Sequence, residues 1–199
     1  MAMTRTKPAE QRRADLLSAG QALFLAKGIV ATSLEDITQA AGVSKGLFYL
    51  YFASKDDLVL ALQEQFSRQF AERIRTAAAI PSDWPAKLDA CVQASFDCYR
   101  DLHDLHEVLF HRAGHAGPGH ARAHEPAHMF VTQVIRDLLA AGTAAGAFDV
   151  ADPEASAALC YASMHAFDQG FRGRLGPDDD RLIRAAGQLF RRAAGVTGS

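Results

Sequence analysis

Long hydrophobic runs are missing from this chain. Apolar residues make up 49% of its 199 positions, yet they come in stretches of a few residues. A membrane-spanning helix needs about 20 in a row, so no membrane partner is expected. The basic residues near Met1 have no apolar stretch behind them, which does not fit a secretion signal. A cytoplasmic location is the expectation. Cysteine is scarce: Cys91, Cys98 and Cys160 form an odd set without CxxC spacing. That excludes a disulfide framework and reads as small buried apolar side chains in a reducing compartment. No window alternates β-branched and polar residues long enough for a strand. Also absent are a nucleophile elbow, a phosphate-cradling glycine loop and a spaced metal motif. An enzyme is therefore not expected, with no catalytic residue, no metal and no cofactor assigned.

A strong charge of one sign is lacking too, but the net charge of -2 is unevenly spread. Residues 1–56 carry seven Lys/Arg and five Asp/Glu; residues 57–199 carry fourteen and eighteen. A mildly basic head on an acidic body is compatible with a nucleic-acid-binding end.

What is present is helical periodicity. Leu16, Ala19, Gly20, Leu23 and Phe24 recur at three- and four-residue steps. With Pro8 near the start and Gly28 as a stop, they predict a helix over roughly 8–27. The same period runs through Leu88 to Tyr99, Phe130 to Leu139 and Leu159 to Ala166. Pro81 and Pro85 separate a helix of roughly 55–78 from one of 86–101, and Gly176 and Pro177 precede a last helix of roughly 178–194. The expected fold is all-α, with about nine helices.

Between Thr32 and Asp57 three helix starts are packed together. Ser33 with Asp36 forms an acidic capping box, Ser44 can cap a second helix, and Ser54 with Asp57 repeats the pattern. Ala40-Ala41-Gly42-Val43 lies between the first two. The alanines permit close approach, the glycine a tight turn, and the valine plugs the corner. This is a helix-turn-helix, whose second helix, roughly 45–51, would lie in a DNA major groove. Phe48 and Phe52 can face the core; Lys45, Tyr49 and Tyr51 are off that face. Lysine and tyrosine can hydrogen-bond phosphate oxygens, and a tyrosine ring can pack on sugars and thymine methyls. Gly46 removes a side chain where DNA must come close, and Lys55 adds a cation at the next helix start.

The run Leu34 to Leu58, with Leu23-Phe24, Gly28 and Thr32-Ser33 upstream, resembles the DNA-binding motif of the tetracycline-repressor (TetR) family over roughly residues 10–62. Leu47 stands where many relatives carry threonine, and Tyr51 where many carry histidine. The resemblance implies DNA contacts at Thr32, Ser33, Lys45, Gly46, Tyr49, Tyr51 and Lys55. It also implies a three-helix DNA-binding domain at 1–54, and a helical ligand-binding and dimerisation domain at 55–199. A homodimer on a pseudo-palindromic double-stranded DNA operator follows, with a small-molecule effector and repression as the family's habit.

In the body, the stretch 155–171 is rich in small residues, and the last helix carries Leu182, Ile183, Ala186, Leu189 and Phe190. Both are candidates for a partner-facing surface. Seven of the eight histidines fall between His103 and His128, and Gly114, Gly117, Pro118, Gly119 and Pro126 interrupt that stretch. It reads as a polar loop between helices. A pocket is expected among helices of roughly 86–171, walled by Phe96, Tyr99, Phe110, Phe130 and Phe167, with His103 or His165 orienting the ligand. A regulator of the same fold answering to metal, redox or a protein signal is the alternative.

Overall fold

The structure is a computed structural model, and it describes residues 8–111, 120–166 and 179–196. Those residues form nine α-helices and no strand. They are α1 (Ala9–Lys27), α2 (Leu34–Ala40), α3 (Lys45–Tyr49), α4 (Lys55–Ala79), α5 (Trp84–Asp101), α6 (His103–His106), α7 (His120–Ala144), α8 (Pro153–Ala166) and α9 (Asp179–Ala193). α6 runs into a π turn, Glu107–His111. No described helix is long and apolar enough to cross a membrane.

The described residues gather into two compact units. The first takes those up to 65 and those between 104 and 124; the second takes 66–103 and those from 125 on.

In the first unit, Leu16, Phe24, Ile37, Phe48, Phe52 and Leu58 are buried. α1 passes close to Leu58 at Gly20: a Cβ there would lie 2.6 Å from Leu58 Cδ2, so that methyl would have to shift. Gln63 is buried on α4, and its Nε2 donates to the Leu109 carbonyl of the π turn at 2.6 Å. The His106 ring lies 5.0 Å from Phe110, both buried.

The second unit is built around α5, which buries Leu88, Cys91, Val92, Ser95, Cys98 and Tyr99. Its start differs from the expected residue 86. Asp83 caps the helix by accepting from the Ala86 N–H at 2.9 Å, and Pro85 sits in the first turn, where no N–H is needed. α9 packs on α5, tied by Arg191 Nε donating to Asp89 at 2.7 Å. On α8 the buried positions are Ala157, Cys160 and Met164, whereas Leu159 is 72% exposed. Leu159 and Ala162 therefore lie on a second apolar face rather than the core face, while Tyr161 is half-buried.

The histidine-rich stretch is less loop-like than expected. Residues 103–111 are helical, and α7 begins at His120 and continues through Pro126. A proline there removes one hydrogen bond near the helix start, which the rest of a 25-residue helix can absorb. His115 lies outside the described residues, as do the side chains of His111, His120, His124 and His128.

Candidate nucleic-acid interface

The corner between α2 and α3 is fixed mostly by its own backbone and caps. Ser33 Oγ accepts from the Asp36 N–H at 3.1 Å, and Asp36 accepts from the Ser33 N–H at 2.8 Å, a complete capping box. Gly42 turns the chain at φ 66°, which a residue with a Cβ rarely adopts. The Val43 N–H then bonds back to Thr38 O at 2.9 Å. Ser44 caps α3 by accepting from Leu47 N–H at 3.2 Å. Phe48 and Phe52, ring centroids 5.7 Å apart, anchor α3 from below, and Arg13 lies 5.3 Å over the Phe52 ring.

That anchoring sets what α3 shows to solvent. Lys45, Gly46 and Tyr49 are exposed, Tyr49 at 57%, with Leu50 beside them; Tyr51 and Leu47 are half-buried. A Cβ on Gly46 would meet nothing nearer than Ser44 Oγ at 3.9 Å, so internal packing does not demand glycine there. Ser33 is exposed at the start of α2. Thr32 is 1% exposed, and its hydroxyl donates inward to Gly28 O at 2.7 Å. Lys55 is half-buried, and its ammonium donates to Ile29 O at 2.7 Å and Thr32 O at 2.8 Å.

Two ion pairs made by acidic residues of α2 were not foreseen from the sequence, where Asp36 was read only as a cap and Glu35 not at all. Glu35 pairs with Lys45, whose hydrogen bond holds the carboxyl below its usual range. Asp36 pairs with Lys27 at 2.7 Å; that bond first, then those from Ser33, lowers its pKa from 3.8 to about 2. The acidic first turn of α2 was the available signal, since its spacing from Lys27 and Lys45 is too long to reveal the pairs.

The expected ligand-lining residues are dispersed. Phe110 belongs to the first unit. In the second, Tyr99 packs edge-on to Phe70 at 4.9 Å, Phe130 lies under the Arg68 guanidinium at 4.3 Å, and Phe96 and His103 are half-buried. Tyr161, absent from the expectation, hydrogen-bonds Tyr99, while burial pushes its hydroxyl up to about 12. His165 is on α8, but its side chain, like the whole of Phe167, lies outside the described residues. Two open grooves of about 420 and 660 Å³ flank α5, and none of the candidates among the described residues lines either one.

Residues 16–62, spanning α1 to the first part of α4, match the model of bacterial regulatory proteins of the tetR family. The chain is 34% identical over 90 residues to the HTH-type transcriptional activator FasR of Mycolicibacterium smegmatis, covering 45% of this chain and 41% of that protein. It is 33% identical over 92 residues to the HTH-type transcriptional repressor KstR2 of Rhodococcus jostii, covering 46% and 45%. The match thus spans less than half the length of these relatives. The fold extends further: the fatty acid degradation regulator FadR from Bacillus halodurans superposes with a TM-score of 0.72 at 20% identity, over 94% of this chain and 96% of that one. With the matched motif lying on the capped α2–turn–α3 corner, residues 16–62 are similar to the helix-turn-helix segment of bacterial regulatory proteins of the tetR family, and the likeness over the whole chain is one of fold.

Proposed function

We propose that this chain is a homodimeric repressor that leaves a pseudo-palindromic operator when a small-molecule effector binds. Residues 1–54 are its DNA-binding domain and residues 55–199 its ligand-binding and dimerisation domain. Ser33, Lys45, Gly46, Tyr49 and Tyr51 contact DNA directly, and Thr32 and Lys55, turned inward to backbone carbonyls, support that surface from beneath. One observation carries the reading: on the segment pinned by Phe48 and Phe52, the residues left facing out are a lysine, a glycine, a tyrosine and a leucine. That is an unusual outer face for a helix with only a packing role, and a suitable one for a groove. The matched relatives include both an activator and a repressor, so the motif does not set the direction; repression follows the family's habit.

The effector is expected in the second domain, near Tyr99, with the Tyr99–Tyr161 pair as a polar anchor. A thiol signal is disfavoured. All three cysteines are buried, and burial pushes Cys91 up to about 12 and Cys98 and Cys160 up to about 11, far from the reactive thiolate. An effector can release DNA only by binding the DNA-free state better, and the coupling is reciprocal. The test is to screen for compounds that raise the melting temperature, then titrate each against the protein–DNA complex. Release of about 5–150-fold, matched by equally weakened effector binding in the presence of DNA, is expected. Compounds that stabilise the protein yet leave DNA affinity unchanged would overturn ligand-induced release. Stabilisation by divalent metal alone would point to a metal signal instead.

A further inference from the structure

We propose that Lys55 is a positioning residue of the DNA-reading head. Its ammonium clamps the turn between α1 and α2 from inside, and DNA affinity depends on that clamp rather than on an ammonium–phosphate contact. The inference rests on the DNA-binding reading above.

The turn from Gly28 to Ser33 has few side chains to hold it, and Val30 is largely exposed. Its order comes from hydrogen bonds. The Thr32 N–H donates to Ile29 O at 3.3 Å, and the Thr32 hydroxyl donates to Gly28 O at 2.7 Å. Lys55 reaches across more than twenty residues of sequence to the Ile29 and Thr32 carbonyls, at 2.7 and 2.8 Å. Hydrogen bonds from a charged donor are stronger than neutral ones. The Thr32 carbonyl and the Ser33 N–H belong to one peptide group. Its oxygen is held by Lys55, and its N–H by the Asp36 carboxylate at 2.8 Å. Gripped at both ends, that peptide cannot rotate, and it sets the direction in which α2 leaves the turn. α2 in turn carries α3 through the Gly42 turn and the Val43-to-Thr38 bond. An ammonium spent on two carbonyls is thus linked, through one peptide and one short helix, to the placement of Lys45 and Tyr49.

The test separates a clamp from a phosphate contact by salt. Lys55→Met keeps the length of the side chain and removes both charge and donors. Affinity is measured across a salt series on two probes: a random-sequence duplex pool, and the duplex that the wild-type chain enriches from it. The temperature is one at which the DNA-free variant is folded. A clamp predicts roughly tenfold weaker binding to the enriched duplex with the salt slope unchanged. It also predicts faster amide exchange at Ser33 in the DNA-free variant. A phosphate contact predicts a slope smaller by about 0.9 and unaltered exchange, and either result overturns the clamp. Unchanged affinity overturns it as well. If Lys55→Met does not fold, Lys55→Gln, which keeps an N–H donor without the charge, is read in the same way. A wild-type chain that enriches no duplex and retains no random DNA would overturn the DNA-binding reading itself, whereas the results above strike at Lys55 alone.

Discussion

Asp36 stands where three interactions meet: the Lys27 ammonium at 2.7 Å, the Ser33 N–H at 2.8 Å, and its own N–H capped by Ser33. These hold its pKa at about 2, the Lys27 bond being the largest cause. A carboxylate whose pKa is lowered on folding contributes stability that is complete above its unfolded value. That contribution is lost as pH falls from about 4 through about 2. Asp36→Asn removes the charge and is expected to flatten this acid limb, while leaving the shape of the stability profile above pH ~5 alone. Helix content followed by circular dichroism across that range checks it; an Asn variant with the wild-type acid limb would sink the assignment. The neighbouring Lys45–Glu35 pair is exposed on both sides, and such pairs contribute little to stability. Lys45 can therefore trade Glu35 for a phosphate at little cost, and the pair does not argue against a DNA role.

Among the elements, α1, α4 and the α2–turn–α3 corner were legible in the sequence within a residue or two. Their signals are local: a glycine stop after Lys27, serine caps at Ser33 and Ser44, and a glycine at the turn. The roles of Thr32 and Lys55 were harder to read, because a side chain that turns inward to a carbonyl looks like one that faces DNA until the chain is folded. The inward side of α8 was not legible, for a different reason. Its small residues make more than one face apolar, so periodicity alone could not choose between Leu159 and Cys160 as the inward side. Folding leaves Ala155, Ala158, Leu159 and Ala162 exposed along one stripe of α8, and Ala185 and Leu189 exposed on α9. Phe190, expected beside Leu189 at a partner surface, is in the core. Exposed apolar stripes on two helices that touch each other fit a four-helix contact with a second copy. The prediction is that Leu159→Glu and Leu189→Glu, at sites 72% and 58% exposed, yield folded monomers, whereas Phe190→Glu unfolds the chain. Sedimentation and circular dichroism together check it. A wild-type chain that sediments as a stable monomer at micromolar concentration would contradict the dimer.

For the whole molecule, the sequence match and the fold match cover different extents. The family model and the curated relatives speak for the head and little else, while the fold likeness reaches nearly the full chain at identities too low to carry function. Ligand-binding domains of one architecture can diverge in every lining residue, because a pocket needs only apolar walls and a few polar groups. That is why the helices and turn of the head could be read from the sequence and the effector could not. The central claim, sequence-specific DNA binding through α3 by a two-fold assembly, is open to one direct measurement. The wild-type chain is used to enrich duplexes from a random pool, and its affinity for the enriched duplex is compared with that of Tyr49→Ala. The account predicts an inverted repeat with half-sites about one helical turn, or a multiple of it, apart. It also predicts that Tyr49→Ala loses about 1–3 kcal/mol on the enriched duplex and little on random DNA. Enrichment of no sequence, or full affinity in Tyr49→Ala, would contradict it.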